Sequence, residues 1–119
     1  MVKIILVVED DTSIRELLME LLESEGYRVA SAVNGLEGIR YLQGNDSPDL
    51  ILIDLMMPVM DGYAFRTEQL KHAAWSKIPT VVMSAEANAK EKMKSFQVSA
   101  FLSKPVDLET ILKTVSRLI

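Results

Sequence analysis

Six polar residues that could take part in chemistry lie at the ends of short apolar runs. Some are the last residue of a run, and the others follow it directly. They are three consecutive acids, a further acid, a hydroxyl and an amine: Glu9, Asp10, Asp11, Asp54, Ser84 and Lys104. Carboxylates about 4 Å apart repel each other by roughly 4 kcal/mol at an effective dielectric constant near 20. If Glu9, Asp10 and Asp54 lie together in the fold, a cation must compensate them. Hard oxygen ligands favour Mg²⁺ or a similar ion in that role.

The chemistry that this set of residues suits is phosphoryl transfer. That reaction is catalysed mainly by positioning and by charge neutralisation, which a metal, a lysine and a hydroxyl around one further carboxylate can supply. Asp54 is then the nucleophile, and its product is an acyl phosphate. Each residue taken singly has an ordinary explanation, since acids are favoured in the first turn of a helix and most strand-end serines and lysines have no special role. Their convergence favours the chemical interpretation.

Short apolar runs alternate with helical patterns along the chain. Runs of strand length cover residues 3–8, 27–32, 49–54, 80–85 and 100–103, and the nearly continuous ones are typical of strands buried on both faces. Apolar stripes and capping residues predict helices over residues 12–25, 35–43, 62–72, 87–97 and 107–118. Asp11 or Thr12 is the candidate N-cap of the first helix, and Asn34 with Glu37 resembles a capping box at the second.

Five strand–helix pairs in strict alternation predict an α/β fold. Parallel neighbours need crossover connections, which are usually helical, so the pattern predicts an open parallel sheet with helices on both faces. Ligands of such sheets bind beyond the carboxyl ends of the strands. The six polar residues are therefore expected to face the same end of the sheet.

Composition limits the classes of protein that remain. The chain has 119 residues, which fits one domain, and 49% of them are hydrophobic against 25% charged, which is typical of a globular protein. There is no cysteine, the net charge is -4 and basic residues form no long block, so disulfides are excluded and a nucleic-acid surface is disfavoured. No apolar run is long enough to span a membrane, and no signal peptide is visible. The expectation is a soluble cytoplasmic protein with a protein partner or a small ligand.

Four segments of the sequence resemble the signature segments of the receiver domain of bacterial two-component response regulators. They are "VVEDD" at 7–11, "DLILIDLMMPVMDG" at 49–62, "VVMSA" at 81–85 and "FLSKP" at 101–105. The resemblance extends over essentially the whole chain, and the spacings of these segments are similar to those of the chemotaxis-type single-domain members. The resemblance implies one receiver domain over residues 1–119. It also implies a doubly wound, three-layer α/β/α fold with five helices and the flavodoxin-like strand order 2-1-3-4-5.

The resemblance also implies roles for the acidic residues. Asp54 matches the phosphoacceptor and Asp10 the direct Mg²⁺ ligand. Glu9 matches a second acid that usually acts through water, and the backbone carbonyl of Met56 is expected to supply a further metal ligand. Mg²⁺ is the implied cofactor.

Three further residues match residues of the family that respond to the phosphoryl group. Lys104 matches the lysine that pairs with it, Ser84 the hydroxyl that moves toward it, and Phe101 the switch aromatic that turns inward. The bond from Lys104 to Pro105 resembles one that the family holds in cis. Phe101 lacks the hydroxyl of the commoner tyrosine.

The expected function is that of a phosphoacceptor domain rather than an enzyme acting on other substrates. It takes a phosphoryl group from a sensor histidine kinase or a phosphotransfer protein, and then changes its surface toward a downstream protein target. A pseudo-receiver that binds partners without phosphorylation is the alternative. A flavin-binding protein is disfavoured by the negative charge of "EDDTS" at 9–13, because a phosphate needs donors there. A phosphatase with an aspartate nucleophile is disfavoured because Glu9 occupies the nucleophile's position.

One segment departs from the family's pattern. Only 20 positions separate Ser84 from Lys104, about two fewer than in the family, and the usual Gly-Ala before the last strand reads Gln97-Val98. The fourth helix or its loops must therefore be shortened.

Overall fold

The apolar runs of the sequence form the strands of a parallel sheet. The computed structural model of the chain describes residues 2–44 and 46–119. Its strands are β1 (Ile4–Val8), β2 (Arg28–Ala32), β3 (Leu50–Asp54), β4 (Thr80–Ser84) and β5 (Ala100–Ser103). Neighbouring strands are parallel, and their order is β2-β1-β3-β4-β5. The predicted fold class and strand order are confirmed.

Helices cover both faces of this sheet. The described residues form α1 (Thr12–Ser24), α2 (Gly35–Gly44), α3 (Gly62–Leu70), α4 (Ala73–Ser76), α5 (Ala89–Lys92) and α6 (Leu108–Leu118), with a 3-10 turn at Met93–Phe96. Successive side chains of a strand point to opposite faces. Accordingly, Ile5 and Val7 pack in the core with α1 and α6, whereas Leu6 and Val8 pack with α2 and α3. The molecule therefore has three layers, with the sheet in the middle.

Aspartates begin three of the helices. Asp11, Asp61 and Asp107 each accept a hydrogen bond from the backbone N–H three residues later, at 2.9, 2.9 and 2.8 Å. Such N-caps satisfy one of the free N–H groups at a helix start. Of the two candidates for the first helix, Asp11 is the N-cap, and α1 therefore starts directly at the edge of the sheet.

The prediction of five helices is wrong, because the third predicted helix is divided. Residues 62–72 were expected to form one helix, but α3 ends at Leu70 and the separate short α4 follows. His72 lies between them in an extended conformation, with φ -112° and ψ 117°. This break lets Trp75 enter the core, where it is buried and its carbonyl oxygen accepts a hydrogen bond from Gln69 Nε2 at 3.0 Å.

The fourth predicted helix, over residues 87–97, is also wrong in its length. Only the four residues of α5 are α-helical, and the 3-10 turn continues to Phe96. The buried side chain of Arg66 explains how the turn ends. Its guanidinium donates to the carbonyl oxygens of Phe96 and Gln97, both at 3.0 Å, so these groups have partners without a longer helix. Gln97 then turns the chain with a positive φ of 52°.

Candidate functional site

The register of the sheet brings the predicted site residues to one edge. Val8 is paired with Ile53 and Ser84 with Ser103. Glu9 therefore follows β1 beside the end of β3, where Asp54 lies, and Lys104 follows β5 beside Ser84. This is the juxtaposition expected from the carboxyl ends of parallel strands.

Lys104 joins two buried carboxylates at this edge. Its Nζ lies 2.9 Å from Oδ2 of Asp54 and 3.1 Å from Oε1 of Glu9. The side chains of Glu9 and Asp54 are 1% and 8% exposed, so the two ion pairs are poorly screened by water. Burial lowers the pKa of Lys104, but the hydrogen bond and charge of Asp54, together with those of Glu9, outweigh it and raise that pKa. The lysine is therefore held in its charged form.

One ammonium does not compensate the acids fully. Burial, followed by the charge of Asp54, raises the pKa of Glu9 from 4.5 to about 7. A hydrogen bond from the Asp11 N–H to Oε2 of Glu9 at 3.2 Å and the contact with Lys104 oppose this increase. A further positive charge at this site would therefore be stabilised by the carboxylates.

Asp10 adds an exposed carboxylate to the two buried ones. Oxygen atoms of Glu9, Asp10 and Asp54 all lie within 4.8 Å of one another. Opposite ligands of one Mg²⁺ lie about 4.2 Å apart, so the three oxygens are close to the spacing that one ion requires. The donor set consists entirely of carboxylate oxygens, which is the chemistry that Mg²⁺ prefers.

The loop after β3 is folded tightly around Asp54. Oδ1 of Asp54 accepts a hydrogen bond from the Met56 N–H at 3.2 Å, while Met56 as a whole is 55% exposed. The loop returns at Gly62, where a Cβ atom would lie 2.9 Å from the Asp54 carbonyl oxygen and 2.8 Å from Leu55 Cα. Only glycine permits that approach without a shift of the backbone. The role expected for the Met56 carbonyl stays a prediction.

Ser84 is buried beside the acids, and its hydroxyl is engaged with the following loop. Its Oγ accepts a hydrogen bond from the Glu86 N–H at 2.9 Å, and its carbonyl oxygen accepts one from the Lys104 N–H at 2.9 Å. The Glu86 side chain in turn accepts from the Tyr63 hydroxyl at 2.6 Å. Ser84 is therefore connected through Glu86 to α3.

Phe101 lies on β5, and it is half-buried. It packs against the core and borders a cavity of about 220 Å³ with Met93 and Val98. The Lys104–Pro105 bond is cis, as the resemblance implies.

The sequence did not predict two contacts of this site. The Tyr63–Glu86 bond joins residues 23 positions apart, and no local pattern indicates it. Arg15 donates to the carbonyl oxygens of Glu9 and Asp10. Arg15 lies in the first turn of α1, where the helix dipole disfavours a cation. A cation at such a position is a signal in the sequence for a specific contact that compensates it.

Comparisons with known proteins agree with this fold. The family of response regulator receiver domains matches residues 5–116. Protein PilH of Pseudomonas aeruginosa is 33% identical over 114 residues, which cover 94% of this chain and 93% of PilH. The sensor histidine kinase CheAY of Helicobacter pylori is 30% identical over 117 residues, covering 96% of this chain and 15% of CheAY.

Solved structures give the same result. The chemotaxis response regulator CheY4 of Vibrio cholerae has a TM-score of 0.91 and 30% identity, with 100% of both chains covered. The response regulator TrrA of Thermotoga maritima, solved in complex with Mg²⁺-BeF, has a TM-score of 0.85 and 30% identity over 98% of this chain and 99% of TrrA.

The chain therefore belongs to the family of response regulator receiver domains, the non-enzymatic signalling modules of two-component systems. Receiver domains interact with histidine kinases or phosphotransfer proteins, and this one is similar to chemotaxis-type members. The chain spans 15% of CheAY and 56% of the probable transcriptional regulator ycf29 of Porphyra purpurea, so it corresponds to only part of those proteins. No helix among the described residues combines the length and the apolar character needed to cross a membrane.

Proposed function

We propose that residues 1–119 form one receiver domain that accepts a phosphoryl group on Asp54 and changes its protein-interaction surface in response. The observation that carries this proposal is the position of Lys104, whose Nζ lies 2.9 Å from Asp54 Oδ2 and 3.1 Å from Glu9 Oε1. A buried carboxylate beside a fixed cation, with a second acid adjacent, suits the transfer of a dianionic group.

Asp54 is the proposed nucleophile. One of its carboxylate oxygens donates an electron pair to the phosphorus of a protonated phosphohistidine. The P–N bond breaks, and the imidazole leaves as a neutral ring with the electron pair of that bond. The Met56 N–H holds Oδ1 of Asp54, which fixes the carboxylate in one orientation for this attack. Asp10 and Met56 are both exposed, and we propose that the donor approaches from their side.

The proposed metal ligands are Glu9, Asp10, Asp54 and the Met56 carbonyl. Their support is the set of three carboxylates within 4.8 Å of one another and the incomplete compensation of Glu9 by Lys104. Mg²⁺, when bound, supplies charge neutralisation for the carboxylates and the incoming phosphoryl oxygens.

Ser84, Phe101 and Lys104 form the proposed switch. A phosphoryl group on Asp54 offers oxygens to Lys104 and to the Ser84 hydroxyl, and Ser84 moves toward it and away from the Glu86 N–H, from which it accepts a hydrogen bond. That movement would make room for the ring of Phe101 beside β5. The result is a shift between two packings, driven by the difference in their interactions with the phosphoryl group.

The proposed partners are a sensor histidine kinase or phosphotransfer protein as donor and a downstream protein as target. The domain catalyses only its own phosphorylation and dephosphorylation. The proposed location is the cytoplasm, with no direct contact to nucleic acid or to a membrane.

Incubation with a small phosphodonor and Mg²⁺, followed by intact-mass measurement, tests the proposal. We expect the wild type to gain the mass of one phosphoryl group and Asp54→Asn to gain none. Asp107→Asn is the matched control, because Asp107 is an exposed N-cap that asparagine replaces well, and it should be labelled like the wild type. Labelling of Asp54→Asn would refute the assignment of the acceptor. An unlabelled wild type would favour the pseudo-receiver.

A further inference from the structure

Arg15 connects the first turn of α1 to the acidic loop that precedes it. Its Nη1 donates to the carbonyl oxygen of Glu9 at 3.0 Å and to that of Asp10 at 3.3 Å. Its Nη2 lies 3.4 Å from Oγ1 of Thr12, which anchors the guanidinium to the helix. One side chain thereby holds two consecutive peptide groups of the loop.

This arrangement is not the one that charge alone would produce. A cation in the first turn of a helix is opposed by the helix dipole, and Glu9, Asp10 and Asp11 offer carboxylates close by. Among residues 2–44 and 46–119, however, none of the ion pairs involves Arg15. The guanidinium of Arg15 donates to carbonyl oxygens instead. It therefore does not pair with the carboxylates that could bind a cation.

The two bonded carbonyls flank the Cα atom of Asp10. The Glu9 carbonyl belongs to the peptide group before this atom, and the Asp10 carbonyl belongs to the one after it. Holding both peptide planes fixes the φ and ψ angles of Asp10, and these determine the direction of its Cα–Cβ bond. Because Asp10 is exposed and little packing restrains it, the backbone has to set the position of its carboxylate.

We propose that Arg15 is a positioning residue, which orients the carboxylate of Asp10 for a divalent cation by fixing the peptide groups on both sides of Asp10. This inference rests on the proposed function, since it concerns the same metal ligands. Arg15 does not touch the ion or the phosphoryl group, and it acts only through the backbone of the two acids.

Positioning and simple electrostatics predict opposite effects when the charge is removed. A guanidinium near the site repels a divalent cation, so its loss should strengthen Mg²⁺ binding if charge is the main effect. If Arg15 orients the ligands, its loss should weaken binding, because residues that support metal ligands typically contribute about 10-fold or more to affinity. The sign of the change therefore separates the two roles.

Titration calorimetry with MgCl₂ on the wild type, Arg15→Gln and Arg15→Lys measures this change. We expect Arg15→Gln to bind Mg²⁺ about 10-fold more weakly and Arg15→Lys to lie between it and the wild type, because an ammonium can still donate to a carbonyl. Arg40→Gln is the control, since Arg40 is an exposed arginine on α2 that pairs with Glu37, and its affinity should equal that of the wild type. Amide NMR spectra of the metal-free proteins should show shifts at Asp10 and Asp11 in Arg15→Gln, smaller ones in Arg15→Lys and none in Arg40→Gln.

Equal or tighter Mg²⁺ binding by Arg15→Gln would overturn the inference. If circular dichroism shows that this variant does not fold, Arg15→Ala, which also removes the charge and the donors, decides instead, and equal or tighter binding by it would have the same meaning. The proposed metal site itself fails only if the wild type binds no Mg²⁺. Failure of the site and failure of the role of Arg15 are thus distinguished in the same experiment.

Discussion

Replacing Glu9 by glutamine should remove a specific pH dependence from the stability of the metal-free protein. Glu9 is 0% exposed, and its carboxylate shares Lys104 with Asp54. Glutamine keeps an oxygen that can accept from Lys104, but it cannot ionise. The substitution therefore changes the titration of this position and retains its size.

The sign and size of the effect follow from the pKa of Glu9. Burial and the charge of Asp54 raise this pKa from 4.5 to about 7 in the folded protein. Between these two pH values the folded state binds more protons than the unfolded state, so the free energy of unfolding falls as the pH rises. The full difference corresponds to about 3 kcal/mol, of which roughly 2 kcal/mol is lost between about pH 5.5 and about pH 8.

The other groups with shifted pKa values change the stability outside this interval. The raised pKa of Lys104 contributes stability that is present below its ordinary value of 10.5 and is lost only as the pH rises above that value. Glu86 and Asp107 have lowered pKa values, so their contributions are lost only as the pH falls below the ordinary carboxyl range. The change between about pH 5.5 and about pH 8 is thus assigned to Glu9.

Urea unfolding in the presence of a chelator tests this reasoning. With a slope near 2 kcal/mol/M, the wild-type midpoint should fall by about 1 M between the two pH values, and the midpoint of Glu9→Gln should change far less. Glu20→Gln, on the exposed side of α1, should behave like the wild type. Equal pH dependence in the wild type and Glu9→Gln would contradict the argument. Added Mg²⁺ should raise the urea midpoint of the wild type. The increase should be largest at the higher pH, where the proposed ligands of the ion are ionised.

Two further predictions concern the loop after β3 and the switch. Val59 is 78% exposed and has a positive φ of 68°, which is strained for a β-branched residue, so Val59→Asn should stabilise the fold by about 1 kcal/mol in urea unfolding. Val33→Asn is its control at another exposed valine, and an equal gain there would exclude backbone strain as the cause. Lys104→Ala should still accept a phosphoryl group on Asp54, more slowly, but should lose the amide-exchange changes that phosphorylation produces around Phe101 and α5. If those changes persisted in Lys104→Ala, the lysine would not couple the acceptor to that surface.

Much of the fold could be predicted from the sequence because it depends on local patterns. Apolar runs of strand length, separated by helical stripes, allow few arrangements other than a parallel sheet with crossover helices. The sequence also indicated that Glu9, Asp54, Ser84 and Lys104 meet, because the carboxyl ends of parallel strands lie at one edge whatever the details of packing. The strand order rested on the family resemblance instead, since strand lengths and alternation alone do not determine it.

The tertiary structure decided what local patterns do not encode. The fourth predicted helix is replaced by a short helix and a 3-10 turn because Arg66, 30 positions before Phe96, bonds the carbonyls there. Likewise, Glu9 and Asp54 share Lys104 across 95 and 50 positions of the chain, and Asp10 remains exposed although it adjoins Glu9. Which of two neighbouring acids is buried depends on side-chain direction and on partners far away in sequence. Sequence alone therefore indicated which residues gather at the sheet edge, and only the packed structure determined which of them are buried, paired or held by Arg15.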